Sequence, residues 1–278
     1  MLPRIAITSA RVRGTRLRAK GGEVYKPRRV SASAQGPRPV VLLPTYNERE
    51  NLAAIVAAIR AARPDADILV IDDQSPDGTG ELADELARAD PAIDVLHRAA
   101  KEGLGRAYVD GFRRALASAR GYTHIITMDA DFSHDPAYLD PLIAACEAGA
   151  DAAIGSRWVA GGGVRNWSLH RRLLSRGGSL YARLALGLSL RDLTAGFVCY
   201  TREALAAVPL DAIEANGYGF QIEMKHRLVN LGLSLRELPI VFPDRTRGAS
   251  KMSPAIMLEA VALIWRLRRK AADARDHA

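Results

Sequence analysis

Cysteine is nearly missing from this chain of 278 residues: Cys146 and Cys199 are the only two. Two widely separated cysteines build neither a disulfide framework nor a metal-binding pair, so a reducing compartment is the expected setting. Long hydrophobic runs are missing as well. No stretch reaches the roughly 18 consecutive apolar residues of a membrane span, and the first residues hold no apolar signal-peptide core. Acidic residues are almost absent from one end. Residues 1–39 carry ten basic side chains against one acid, Glu23, which leaves 29 basic against 30 acidic residues in the rest. The formal charge of +8 therefore belongs to the N-terminal segment, and the body of the chain gives no sign of a nucleic-acid partner. Residues 1–38 lack hydrophobic periodicity and are rich in Gly, Ser and Pro, so they read as a disordered basic tail. Such a tail is either solvated or drawn to anionic lipid headgroups. Residues 39–270 read as one catalytic domain, and 271–278 as a flexible end.

What is present is an alternation of apolar strands and amphipathic helices. Val40–Leu43 is a short strand, followed by a helix over 48–62 that places Leu52, Ile55, Val56 and Ile59 on one face. Asn47 and Glu50 have the spacing of a capping box at its start. Ile68–Ile71 is a second strand and Gly80–Arg88 a second helix, with Thr79 as its expected cap. Strand Ile93–Leu96 precedes a helix over 106–119, and strand Ile125–Met128 a helix over 136–147. Ala152–Ile154 is a further strand. This order predicts an α/β fold with a mainly parallel, Rossmann-like sheet flanked by helices. In such sheets ligands bind beyond the carboxyl ends of the strands.

Three polar clusters fall just past strands: Pro44 to Glu48, Asp72-Asp73, and Asp129-Ala130-Asp131. Two carboxylates one residue apart at a strand's end repel each other. A hard divalent cation relieves that cost and keeps coordination positions open for substrate phosphates. Asp129 and Asp131 are thus the candidate ligands of Mg²⁺ or Mn²⁺, and the three clusters together predict a nucleotide site.

The runs Val40-Val41-Leu42-Leu43-Pro44-Thr45-Tyr46-Asn47-Glu48, Asp72-Asp73-Gln74-Ser75-Pro76-Asp77-Gly78-Thr79 and Met128-Asp129-Ala130-Asp131 resemble inverting family 2 glycosyltransferases of the GT-A fold. Further runs carry the resemblance to the dolichol-phosphate and polyprenol-phosphate mannose synthases within that family. They are Gly155-Ser156-Arg157-Trp158, Arg171 to Gly177, Asp192 to Phe197, Gly217 to Glu223 and Asp244 to Lys251. The resemblance spans residues 39–265. Processive relatives carry Gln-x-x-Arg-Trp, whereas this chain has Gln221-Ile222-Glu223-Met224-Lys225, which disfavours polymer synthesis.

The resemblance implies transfer of mannose from GDP-mannose to a polyprenyl monophosphate, with inversion, giving β-mannosyl phosphoryl polyprenol and GDP. It implies that the positions of Pro44, Tyr46, Glu48, Ile71 and Asp73 hold the guanine nucleotide. Asp129, Ala130 and Asp131 meet the diphosphate, while Ser133 replaces a Gln that ligates the metal in some relatives. Arg245 and Lys251 cover the donor phosphates, and Arg157, Arg171 and Ser175 grip the lipid phosphate. Asp131, Arg157 and Arg245 are the implied catalytic groups. The alternatives are a lipid-phosphate transferase of the same fold using UDP-glucose or a UDP-N-acetylhexosamine, or a catalytically silent binding subunit. With no span of its own, the chain is expected peripherally on the cytoplasmic face of a membrane, with a separate membrane protein as anchor. The segments 173–190 and 255–265, the latter an amphipathic helix ending in Trp265 and basic residues, are the candidate contacts with the bilayer surface.

Overall fold

The computed structural model describes residues 36–217, 219–244 and 260–269. The expectations for the tail 1–35, for Arg245 and Lys251, and for 271–278 lie outside the described residues. Five strands lead the fold: β1 (Pro39–Thr45), β2 (Asp67–Asp72), β3 (Ile93–His97), β4 (His124–Thr127) and β5 (Ala152–Ser156). Between them run α1 (Arg49–Ala62), α2 (Thr79–Ala89), α3 (Leu104–Ala117) and α4 (Leu139–Glu147). The order of elements matches the sequence reading. The fourth helix starts later than 136, because Pro136–Tyr138 forms a 3-10 turn capped by Asp135.

The remaining elements are β6 (Gly163–Arg165), α5 (Leu169–Leu186), β7 (Val198–Thr201), α6 (Arg202–Ala206), α7 (Gly219–Asn230), β8 (Leu235–Pro239) and β9 (Val241–Pro243), with a last helix at 260–269. Seven strands form one sheet in the order β3-β2-β1-β4-β7-β5-β8, and β6 pairs with β9. All sheet neighbours are parallel except β7, which runs antiparallel to both β4 and β5.

Strands buried on both faces need apolar side chains in both directions, which is why these segments read as continuous hydrophobic runs. Val40 and Leu42 of β1 join one core with Tyr108 and Phe112 of α3, Phe220 and Met224 of α7, and Leu263, Ile264 and Leu267 of the last helix. Val41 and Leu43 point the other way, into a core with Leu52, Ile55 and Ile59 of α1 and Leu142 and Ile143 of α4. Each such side chain contributes about 1.5–3 kcal/mol when fully buried. Helix α3 lies close on the sheet because Gly111 leaves room: a Cβ there would sit 2.5 Å from Ile71 Cδ1.

The direction of β7 decides the architecture of the ligand edge. Parallel strands β1, β2, β3, β4, β5 and β8 deliver their carboxyl ends to one side of the sheet. Because β7 is antiparallel, it delivers its lead-in, residues 192–197, to that same side. Among the described residues four non-glycine ones have positive φ, Asn47, Gln74, Phe132 and Asn166. The first three follow β1, β2 and β4, so uncommon backbone concentrates where ligands bind in this fold class.

Candidate active site

Both capping expectations are corrected by the structure. Asn47 sits at φ 58° and Glu48 occupies the cap position of α1 without a side-chain bond to it. The first amides of α1 are met from the neighbouring loop instead: Glu48 N–H donates to Thr79 Oγ1 at 3.0 Å, and Arg49 N–H to Asp77 Oδ2 at 3.2 Å. Thr79 is therefore the first residue of α2, after Gly78 in the left-handed region, and serves α1 rather than its own helix. This cross-link ties the β1 and β2 ends into one wall.

On that wall Tyr46 is half-buried, with Lys101 Nζ 3.5 Å above its ring centroid. Glu48 accepts from Asn51 Nδ2 at 2.9 Å. Asp73 is buried at 6% exposure and pairs with Arg98. Burial pushes the Asp73 carboxyl upward, against the pull of that guanidinium. Arg98 also bonds Asp110 at 2.9 Å and Glu102 at 2.8 Å. The sequence reading missed Arg98, although it stands just past β3, where the strand-end rule points. Pro44 is partly exposed at the end of β1. Ile71 is not available through its side chain, which lies fully in the core, and its carbonyl accepts from Thr45 Oγ1.

At the end of β4, Asp129 is half-buried and Asp131 is 5% exposed. Asp131 Oδ1 accepts the Ser133 amide at 3.0 Å, a tight turn made through Phe132 at φ 61°. Asp129 N–H donates to His134 Nδ1 at 2.9 Å. Tyr108 lies 3.5 Å from Asp129 Oδ1, and burial, then the nearby Asp129 charge, pushes its phenol well up, so it stays a donor. Ala130, between the two carboxylates, is buried at 3% exposure. Among the described residues no three His, Cys, Asp or Glu side chains cluster as a metal cage. The donor set fits an ion shared between two carboxylates and a ligand's phosphates, and not a closed structural site.

Arg157, at the end of β5, is 8% exposed and is held by Asp192 and by Thr194 Oγ1 at 2.8 Å. Burial alone would raise the Asp192 carboxyl, but Arg157 and the Arg157 amide hold it below its ordinary value. Arg171, on the first turn of α5, has its amide capped by Ser168 and its guanidinium 4.0 Å from the Trp167 ring centroid. It also pairs with Asp244. Arg157 lies 5.7 Å from the same indole, so the structure brings Arg157 and Arg171 to one aromatic side chain. Ser175, one turn after Arg171, is half-buried on the same face. Trp167 meets Phe242 edge-on at 5.6 Å, and Phe242 meets His134 at 5.4 Å. One aromatic row thus joins the carboxylate loop to the arginine cluster.

Next to this cluster α5 leaves Leu169, Leu173, Leu180 and Leu184 exposed. A hollow of about 390 Å³ is bounded by Trp158, Leu173, Arg176, Leu180, Arg183 and Arg191. The last helix behaves differently along its length: Leu263, Ile264 and Leu267 are buried, while Val261 and Trp265 are exposed. No helix among the described residues is long and apolar enough to cross a membrane.

Residues 40–208 match the profile of Glycosyl transferase family 2. The chain is a family 2 glycosyltransferase. It is 49% identical over 241 residues to the polyprenol monophosphomannose synthase of Mycolicibacterium smegmatis, covering 86% of this chain and 90% of that one. It is 49% identical to the undecaprenyl-phosphate mannosyltransferase of Micrococcus luteus, over 82% and 93% of the two chains. It is 36% identical to the dolichol-phosphate mannosyltransferase of Pyrococcus furiosus, covering 82% of this chain and 63% of that longer one. Among solved structures, glucosyl-3-phosphoglycerate synthase from Mycobacterium tuberculosis, in complex with Mn²⁺, UDP-glucose and phosphoglyceric acid, superposes with a TM-score of 0.62. At 19% identity over 84% of this chain and 80% of that one, this shows the shared GT-A fold.

Proposed function

We propose that this glycosyltransferase moves mannose from GDP-mannose to the phosphate of a polyprenyl lipid, with inversion, giving β-mannosyl phosphoryl polyprenol and GDP. The observation that carries the reading is the aromatic row His134–Phe242–Trp167. It links the Asp129-Asp131 carboxylate loop, suited to a cation, with an arginine cluster suited to a phosphate, and this supports a reaction between a sugar diphosphate and a second phosphate. The relatives named for polyprenol-phosphate mannose transfer support the choice of sugar and acceptor.

Charge explains how the residues share the work. A lipid monophosphate is about −1.5 to −2 charged near neutral pH, so it attacks without a general base. What the site must do is hold two anionic groups close together in a dry edge. Arg171 and Arg157 are the groups we assign to the acceptor phosphate, with Ser175 beside them. The wall of Pro44, Tyr46, Glu48 and Asp73 is assigned to the guanine nucleotide, together with the backbone at Ile71. Arg245 and Lys251 are assigned to the donor phosphates from the loop outside the described residues. Asp129 and Asp131 would hold a divalent cation, Mg²⁺ or Mn²⁺, which when bound neutralises the diphosphate and stabilises the leaving GDP. The exposed leucines of α5 and the arginine-rimmed hollow support a peripheral position on a membrane surface; we assign it to the cytoplasmic face, with a separate protein as anchor.

The test is a donor panel of GDP-mannose, UDP-glucose and UDP-N-acetylglucosamine with a polyprenyl phosphate and a divalent cation. Transfer from GDP-mannose is expected. Transfer from a UDP-sugar alone would overturn the donor assignment, and no product in a single-turnover assay would make the chain a silent subunit.

A further inference from the structure

Gln221 is 3% exposed, yet neither its side-chain oxygen nor its nitrogen has a hydrogen-bond partner among the described residues. Orphaned amides of this kind are rare in native interiors and call for a ligand or a water. The residue is not loosely placed. It is the third residue of α7, and one turn later the buried Lys225 donates from Nζ to Gln221 O at 3.3 Å and to Ala195 O at 2.7 Å. That lysine fastens α7 to the lead-in of β7.

Gly196, in that lead-in, leaves room beside the amide for one carbon. A Cβ on Gly196 would stand 3.8 Å from Gln221 Nε2 and 3.4 Å from His134 Cε1. The antiparallel register pairs Thr127 with Val198. Thr127 Oγ1 donates to Gly196 O at 2.7 Å, which sets Gly196 against the last residue of β4, two positions before Asp129. The orphaned amide therefore lies beside Gly196, which itself borders His134 of the carboxylate loop. Ser133 Oγ, on that loop and next to His134, is 1% exposed and has no hydrogen-bond partner among the described residues either.

We propose that Gln221, together with Ser133 of the carboxylate loop, hydrogen-bonds hydroxyls of the donor sugar and is a specificity-determining residue. A carboxamide presents a donor and an acceptor side by side, the complement of neighbouring hydroxyls on a hexose ring. A site built to hydrogen-bond a hydroxyl discriminates strongly against an analogue that misplaces it. The inference rests on the donor reading above and deepens it.

The experiment compares the parent chain with Gln221→Met, which keeps the volume and removes the polar atoms. Calorimetry measures GDP and GDP-mannose, each with Mg²⁺, and KM is measured for GDP-mannose and GDP-glucose. Thermal unfolding of the variant is expected at or above the parent temperature, because an orphaned amide is lost. GDP affinity is expected to hold within about twofold while GDP-mannose affinity weakens about tenfold, the size of one lost hydrogen bond. The parent's preference between the two GDP-hexoses is expected to narrow. If GDP and GDP-mannose affinities move together, or neither moves, the amide only lines the wall or holds a water, and the proposal is overturned. Gln221→Asn, which withdraws the amide by one methylene, gives the same split in smaller measure and covers a folding failure of the first variant. Should the parent bind only UDP-sugars, the donor reading fails by itself, and the same comparison with UDP and that UDP-sugar decides Gln221 separately.

Discussion

Asp192 holds Arg157 by both carboxylate oxygens, Oδ2 to Nε at 2.7 Å and Oδ1 to Nη2 at 2.7 Å, and Oδ2 also takes the Arg157 amide at 3.0 Å. The Asp192 side chain is fully buried. The arginine is thus fixed in one orientation before any ligand arrives. Asp192→Ala would leave a buried guanidinium without its partner, which costs about 3–5 kcal/mol. Urea unfolding is expected to show a lower midpoint with an unchanged slope. A variant as stable as the parent would show that the pair contributes little to the fold.

Asp131 is nearly buried and its Oδ1 shapes the loop through Ser133 N–H. Asp131→Asn retains an acceptor for that amide, so the fold is expected to survive while turnover falls below about one part in 100, the scale of a lost electrostatic contact at a reacting phosphate. Chelation with EDTA is expected to silence the parent enzyme to a similar degree, with activity restored by Mg²⁺ or Mn²⁺. Full turnover in excess chelator would remove the metal assignment.

Arg171 and Arg172 are adjacent on α5 but point about 100° apart. Arg171 stacks on Trp167, whereas Arg172 is exposed. Arg171→Ala is expected to raise KM for the lipid phosphate about 10- to 100-fold, the loss of one charge-assisted contact of about 1.5–3 kcal/mol. GDP affinity is expected to stay within about threefold, since among the described residues Arg171 shares no partner with the Tyr46 wall. Arg172→Ala is the control. A loss of GDP affinity in Arg171→Ala, with the acceptor dependence intact, would move this residue to the donor side.

Lys225 is fully buried, and burial pushes its ammonium down to about 7. In the unfolded chain it titrates near pH 10. Between those values the unfolded state binds the extra proton, so this group's contribution to stability improves as pH rises. Its unfavourable effect is complete below about pH 7. Lys225→Met removes the titration, so the variant's stability relative to the parent is expected to be most favourable below pH 7 and to decline toward pH 10. Melting temperatures across that range check the sign, and a difference independent of pH would mean the buried amine does not titrate there.

The sequence by itself determined the frame. Strands buried on both faces require unbroken apolar runs, and helices on their flanks require one apolar stripe, so Val40–Leu43, Ile68–Ile71 and the face of Leu52, Ile55 and Ile59 were legible one segment at a time. The place of Asp129 and Asp131 just past a strand was legible for the same reason, since it depends only on the local run before them. The partnerships of separate loops were decided only by the tertiary structure. Thr79 looked like the cap of its own helix and instead meets Glu48, because the parallel pairing of β1 with β2 places the two loops side by side. Arg98 gained its role from Asp73 and Asp110, residues that no local pattern joins to it. The antiparallel course of β7 set Gly196 against Thr127 and Asp192 against Arg157, and strand direction is fixed by hydrogen-bond register across the sheet, which a run of side chains does not encode.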